Sequence, residues 1–516
     1  MLFPSNVFIL LFLPVALCGY QLLSRFGRVP LLLWLTGSSL FFYGYWNPVY
    51  LVLLCSSILI NFFFSYRISE NKSEISKSYW LAIAITANLL LLTYFKYLFP
   101  VLNFLHIHNM IRSGFSDVVL PLGISFFTFT QIAYLIDLRQ QISGRRDLLT
   151  YSVFVTFFPH LIAGPIIHPR DFIPQLDRLR GLRSYDVALG LSWFVMGLSK
   201  KVFIADRIAP LAEILYAHPQ SAGFATTWIG VFAYTMQLYF DFSGYSDMAL
   251  GLARMFSLEF PINFDSPFKA QSIIDFWQHW HMTLSRYLNE YLFSPILLWV
   301  NGRRYKAGKK SNRKAAATPE GFLSMVFFPT MTTMFIAGVW HGAGLQFIVF
   351  GVLHGFYLSI NHAWRLLTPR ESRLHKIVPA PVMIVLTFLC VAVGMIFFRS
   401  ANVHDAFYIL GTMSGFHTGP AYAAFPFLAE LPYMGRSMHN KFVACLALGL
   451  CFFIVWAMPN TQEILGQVKE DSVQVPNLAP GLKWRMSGLW SMGLTVLFCL
   501  VFLFLDSSSS FLYFQF

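Results

Sequence analysis

Long stretches without one charged residue divide this chain. About 20 apolar residues are needed to cross the hydrocarbon core of a bilayer as a helix. Val7 to Leu23 reads as a first span. Residues 31–66 carry no charge, and Asn47-Pro48 interrupts them, so they read as two spans joined by a short turn. Further candidates are 79–99, 118–136, 148–169, 187–205, 214–240, 321–343, 345–364, 377–398, 442–462 and 486–505. That makes roughly a dozen, some of them re-entrant. No soluble domain, low-complexity tract or internal repeat stands out. The pattern predicts an all-α polytopic membrane domain over residues 1–506, followed by a short aromatic tail over 507–516.

The basic residues set the orientation, because cytoplasmic loops collect Lys and Arg. Arg25 and Arg28 follow the first span, which places the N-terminus outside. Arg67, Lys72 and Lys77, and later Arg139, Arg145 and Arg146, then fall inside. Basic residues also flank 148–169 on both sides, so this segment is expected to enter and leave from the cytoplasmic face. Its centre, Phe157-Phe158-Pro159-His160-Leu161-Ile162-Ala163-Gly164-Pro165, is rich in helix breakers. Seven Lys and Arg residues crowd 303–314, either as a topology anchor or as a landing patch for an anionic donor. Lys483 and Arg485 precede the last span and put the tail outside.

Composition narrows the class. Of 516 residues, 56% are apolar and 12% charged, against roughly 25% charged in soluble proteins. A water-soluble globular enzyme is excluded. The formal net charge of +13 belongs to topology rather than to nucleic acid, for which no basic module exists. The six cysteines lie among apolar neighbours without a Cys-x-x-Cys, and are expected to be buried thiols.

Three clusters carry candidate chemistry. The 44 residues from Gly321 to Trp364 hold no Asp, Glu, Lys or Arg, yet contain His341, His354 and His362. His341 sits in Gly338-Val339-Trp340-His341-Gly342-Ala343-Gly344. Small neighbours let a substrate approach, and a desolvated neutral imidazole suits a general base. A histidine merely bonded to a neighbouring helix reads the same way. In the second cluster, Asp275 to Ser285, helical spacing puts Trp277, His281 and Ser285 on one face. A metal held by His281 and His341 lacks carboxylate partners at ligand spacing, so no metal site is expected. The third cluster, Tyr239 to Met248, includes Tyr245, Asp247 and Asp241. These line a polar path or hydrogen-bond helix to helix.

Phe158-Pro159-His160-Leu161-Ile162-Ala163-Gly164-Pro165, Tyr239 to Met248, Trp277 to Ser285 and Trp340-His341-Gly342-Ala343 stand in that order. The chain ends Ser510-Phe511-Leu512-Tyr513-Phe514-Gln515-Phe516. Together these motifs resemble the bacterial membrane-bound O-acyltransferase (MBOAT) family over nearly the whole chain. The similarity is greatest to the branch serving alginate, cellulose and peptidoglycan O-acetylation. Relatives commonly carry two Arg where this chain has Gln278-His279.

The resemblance implies a ring of roughly eleven or twelve tilted helices, with re-entrant segments, around a central funnel. It implies acetyl transfer from cytoplasmic acetyl-CoA, a donor substrate rather than a cofactor, across the bacterial inner membrane. The acceptor would be an extracytoplasmic polysaccharide, with a soluble extracytoplasmic acetyltransferase and the polysaccharide synthesis machinery as partners. His341 and His281 match the family's two histidines. Tyr513 matches the central Tyr of a terminal aromatic motif and is expected to carry the acyl group. Trp340, Trp277, Ser285, Tyr245, Asp247 and His160 would line the substrate path. Two other functions fit the same features: D-alanyl transfer from a carrier-protein thioester, and non-enzymatic polymer transport.

Overall fold

The computed structural model describes residues 1–98, 101, 120–368, 378–417, 441–466, 483–505 and 511–512. Every regular element among them is helical. Among the described residues, six helical stretches are long and apolar enough to cross a membrane: Phe8–Phe26, Pro48–Glu70, Glu74–Lys96, Ser184–Ala217, Pro319–His341 and Ala380–Arg399. Their outer faces are apolar too. Leu11, Val49, Val52 and Leu90 are each more than 60% exposed. Large aliphatic side chains at such exposure suit lipid as the surrounding solvent. The chain is a multi-pass membrane protein.

The residues form two compact units. The first comprises Met1–Val202, Phe242–Ile262 and the described residues from Leu465 on; the second comprises Phe203–Asp241 and Asn263–Ile464.

The principal helices of the first unit are α1 (Leu13–Leu23), α2 (Arg28–Gly44), α3 (Pro48–Glu70), α4 (Glu74–Lys96), α5 (Ile124–Arg139), α6 (Leu148–Thr156), α7 (Phe158–Leu161), α8 (Pro169–Leu176) and α9 (Ser184–Ser199). The predicted turn at Asn47-Pro48 is present. The Asn47 side chain accepts from the Val49 amide at 2.9 Å, and Pro48 opens α3, where its missing N–H costs nothing. The segment 148–169 is broken as its composition predicts. Helix α6 stops at Thr156, α7 lasts four residues, and Gly164 adopts φ +109°. The freed Phe158 amide donates to Ser39 Oγ at 3.1 Å, so the break stays hydrogen-bonded.

Two corrections concern span limits. Residues 187–205 were expected to form a span that ends at 205. Instead helix continues from α9 through a π-type turn (Lys200–Ala205) into α10 (Asp206–Ala217), and the reversal comes only at 218–223. The predicted span 214–240 therefore starts too early. Helix α11 runs Phe224–Met255. Charge at Asp206, Arg207 and Glu213 did not end the helix, because an amphipathic helix end tolerates charges that an apolar-run criterion rejects.

Within the first unit, α9 and the second half of α11 touch backbone to backbone. A Cβ at Gly190 would lie 2.5 Å from the Gly251 carbonyl oxygen, and one at Gly197 2.5 Å from that of Gly244. Such small-residue crossings replace hydrophobic burial as the association force in lipid.

The second unit contains α10, the first part of α11, α12 (Ile273–His279), α13 (Met282–Leu288), α14 (Ser294–Lys306), α15 (Phe328–His341), α16 (Leu345–Leu367), α17 (Ala380–Arg399), α18 (Val403–Met413) and α19 (Lys441–Ala457). The first unit ends with α20 (Gly488–Leu503). The cysteines depart from expectation: all six are free, but only Cys451 is buried, while Cys18, Cys445 and Cys499 are exposed on helix surfaces. Thiols behave as small apolar groups and are tolerated against lipid.

Candidate active site

His341 is the last residue of α15. Gly342 follows in extended conformation, and Gly344 precedes the first turn of α16. The two helices form a tight hairpin. A Cβ at Gly338 would stand 2.4 Å from the Phe347 carbonyl oxygen, and one at Gly351 2.3 Å from that of Met334. This close approach needs glycine on both sides. It fixes the turn, and with it the imidazole. The ring is buried between Trp340 at 4.7 Å, Phe350 at 5.9 Å and Phe398 at 4.9 Å between centroids. Phe350 and Phe398 meet it edge-on. A heterocycle walled by aromatic edges is oriented and shielded from water.

His281 is held by a different device. The sequence pattern expects one helix bearing Trp277, His281 and Ser285 on one face. The structure corrects this. Helix α12 ends at His279, Trp280 is extended, and His281 takes φ +44° and ψ +51° before α13 begins. The cause lies upstream. Residues 263–265 pair with 279–282 through Met282 N–H to Asn263 O at 2.9 Å and Asp265 N–H to His279 O at 3.0 Å. A left-handed residue is the bend that this pairing requires.

Asn263 also sets the chemistry of His281. Its Oδ1 accepts from Thr283 Oγ1 at 2.8 Å and lies 3.0 Å from His281 Nδ1. An amide oxygen accepts only, so the neutral ring carries its proton on Nδ1. Nε2 is left as the basic lone pair. Burial lowers the His281 pKa to about 3. The ring is therefore neutral at physiological pH.

The other predicted residues divide between the units. Trp340 belongs to the aromatic wall of His341. Trp277 donates its indole N–H to His354 Nδ1 at 3.2 Å, tying α12 to α16. Ser285 bonds back to its own turn, its amide reaching His281 O at 3.0 Å. His160, Tyr245 and Asp247 lie in the first unit. His160 is buried among Phe157, Phe172 and Phe260. Tyr245 stacks on Phe3 at 4.7 Å and meets Phe511 edge-on at 4.4 Å. Asp247 pairs with Lys200 at 2.6 Å, an ion pair from α11 to the π-type turn that follows α9. Tyr513 lies outside the described residues. Among the described residues no three His, Cys, Asp or Glu side chains gather closely enough to hold a metal.

Two residues with clear roles here were not selected from sequence. Asn263 lies between Pro261 and Pro267 in a short uncharged-to-polar run, and its partner is 18 residues away. His354 stands in the same charge-free segment as His341, which was the signal available.

His341 at the end of α15 and His281, with its proton on Nδ1, are two buried imidazoles in an apolar multi-pass scaffold. The family model "MBOAT, membrane-bound O-acyltransferase family" matches residues 81–309. Similar proteins include the peptidoglycan O-acetyltransferase of Helicobacter pylori, 38% identical over 80% of each chain. The probable alginate O-acetylase AlgI of Pseudomonas putida is 34% identical over the full length of both. The teichoic acid D-alanyltransferase of Bacillus subtilis is 26% identical over 55% of this chain and 69% of its own. The chain belongs to the membrane-bound O-acyltransferase family and is an acyltransferase.

Proposed function

We propose that this protein is an O-acetyltransferase of the bacterial inner membrane that takes acetyl groups from cytoplasmic acetyl-CoA for an extracytoplasmic polysaccharide. The observation that carries this is His341, a buried imidazole fixed by a glycine-locked hairpin in a segment without Asp, Glu, Lys or Arg. His341 removes the proton of the attacking hydroxyl as its oxygen bonds to the thioester carbonyl carbon. The C–S bond breaks, and the departing thiolate takes up that proton as free coenzyme A. A thioester is already activated, so positioning, proton removal and exclusion of water suffice. His281 positions the thioester or the acceptor through Nε2. Trp340, Trp277 and Ser285 shape the path, as do Tyr245, Asp247 and His160.

The reading includes a ring of eleven or twelve helices with re-entrant segments around a funnel. The basic loop 303–314 faces the cytoplasm and the donor. The tail acts as an acyl relay: the Tyr513 phenol oxygen takes the acetyl group, and a soluble extracytoplasmic acetyltransferase passes it on within the polysaccharide machinery. The names of the similar proteins support alginate-like or peptidoglycan acceptors.

The likeness to D-alanyltransferases keeps one other donor in view, a D-alanyl carrier protein. Purified protein in proteoliposomes decides between them. Acetyl-CoA alone should yield free coenzyme A, and a D-alanyl-loaded carrier should not be discharged. The reverse result transfers the protein to the D-alanyl class, and discharge of neither supports a transporter.

A further inference from the structure

A groove of about 670 Å³ lies within the first unit, between α1, α9 and α20, and includes none of the histidines discussed above. Leu13 and Leu17 of α1, Leu191 and Val195 of α9, and Leu494 and Phe498 of α20 form its walls. Two of its hydroxyls are already spent. Ser192 donates to Ala188 O at 2.7 Å, and Thr495 to Ser491 O at 2.8 Å. The walls therefore present mainly hydrocarbon, which a polar ligand would have to desolvate to meet. From Trp490 to Phe498 the groove follows α20 for about 12 Å at 1.5 Å per residue. That is most of one leaflet, half of a ~30 Å hydrocarbon core. Helix α20 is seated lightly: of its residues only Val501 is buried.

The mouth of the groove is cationic. Trp484 donates its indole N–H to Ser192 Oγ at 2.9 Å and meets the Tyr185 ring edge-on at 5.5 Å. Trp and Tyr gather at the level of lipid headgroups, which sets the depth of this end. Arg485 lines the groove there, and Lys483 stands two residues before it. Both are exposed, and among the described residues neither makes an ion pair. No acidic residue lies between Lys483 and Leu505. The acids of the segment leading into α9 are taken: Asp186 pairs with Arg254 at 2.8 Å, and Asp177 with Arg28 at 3.0 Å. A guanidinium fork matches a phosphate in two parallel hydrogen bonds, and a nearby ammonium adds charge. A zwitterionic headgroup would instead bring its own ammonium to two cations. We infer that this groove binds an anionic phospholipid, with Arg485 and Lys483 holding its phosphate and one acyl chain lying between α1, α9 and α20. The lipid thereby seats α20, the helix that leads into the tail. Its bearing on transfer rests on the relay reading; the binding itself does not.

The measurement is photo-cross-linking to the full-length protein in phosphatidylcholine nanodiscs. The probes are phosphatidylglycerol and phosphatidylcholine that carry the same diazirine acyl chain. Phosphatidylglycerol should label peptides of α1, α9 and α20 at least fivefold more than phosphatidylcholine does. Lys483→Gln combined with Arg485→Gln, both at exposed positions, should erase that preference. Lys72→Gln combined with Lys77→Gln removes the same charge from another loop and should leave it unchanged. Equal labelling of the wild type by the two probes overturns the inference, as does selective labelling of other helices instead. So does a Lys483–Arg485 double variant that keeps the preference. Equal loss in both double variants would show attraction to surface charge alone, and overturns it too. Acetylation of the C-terminal peptide is then read in the same discs. It should rise at least threefold when phosphatidylglycerol replaces half of the phosphatidylcholine, and the Lys483–Arg485 double variant should not respond. An acetylated tail indifferent to lipid would overturn the seating of α20. Selective labelling with a tail that is never acetylated would sink the relay reading alone.

Discussion

His281 shows how one residue is tuned by its surroundings. Its pKa of about 3 lies far below the ordinary 6.5. The unfolded chain therefore binds a proton at His281 below about pH 6.5, while the folded protein resists doing so down to about 3. Its contribution to stability is complete above pH 6.5 and is lost as pH falls towards 3. The melting temperature should fall between pH 7 and pH 5, and His281→Asn should flatten that fall, as read by fluorescence in detergent. Asn accepts the left-handed conformation, so the variant should fold. It lacks the Nε2 lone pair and should transfer acetyl groups at least tenfold more slowly. A steeper fall in the variant would contradict the assignment of that proton. Asn263→Ala should also slow transfer by about tenfold or more, because the amide oxygen that sets the tautomer is then lost. Undiminished activity would show that Nδ1 needs no partner.

At the scale of elements, the α15–α16 hairpin carries the site. Gly338→Ala places a methyl group 2.4 Å from the Phe347 carbonyl oxygen. Overpacking of that kind costs about 1–3 kcal/mol. The variant should melt at lower temperature and lose activity together, because the same contact holds both helix and imidazole. A stable, fully active Gly338→Ala would mean that the hairpin can open without moving His341. Much of this level was legible in the chain. Charge-free runs overlie the six apolar helical stretches but end one of them too early, Asn47-Pro48 located a turn, and the glycines around His341 were read as room for a substrate, whereas Gly338 is where the two helices of the hairpin touch. The bend at His281 was not legible, because local spacing reads as continuous helix and only the pairing with Asn263 breaks it. The Trp277–His354 bond spans 77 residues and leaves no mark on either segment's periodicity.

At the scale of the whole molecule, the account requires donor and acceptor to be served from opposite faces. A cysteine placed in 303–314 should resist a membrane-impermeant maleimide in intact cells and react after lysis; labelling from outside would invert the topology. Tyr513→Phe should leave acetyl-CoA binding intact and block delivery to polymer, and an acetylated C-terminal peptide should be detectable by mass spectrometry. The central claim is that His341 is the base of acetyl transfer. It is tested most directly by acetyl transfer from labelled acetyl-CoA in proteoliposomes, comparing wild type with His341→Ala at matched folded protein. The account predicts a loss of about 10²–10⁴-fold, with donor binding retained. Transfer by folded His341→Ala at a rate near that of the wild type would contradict it.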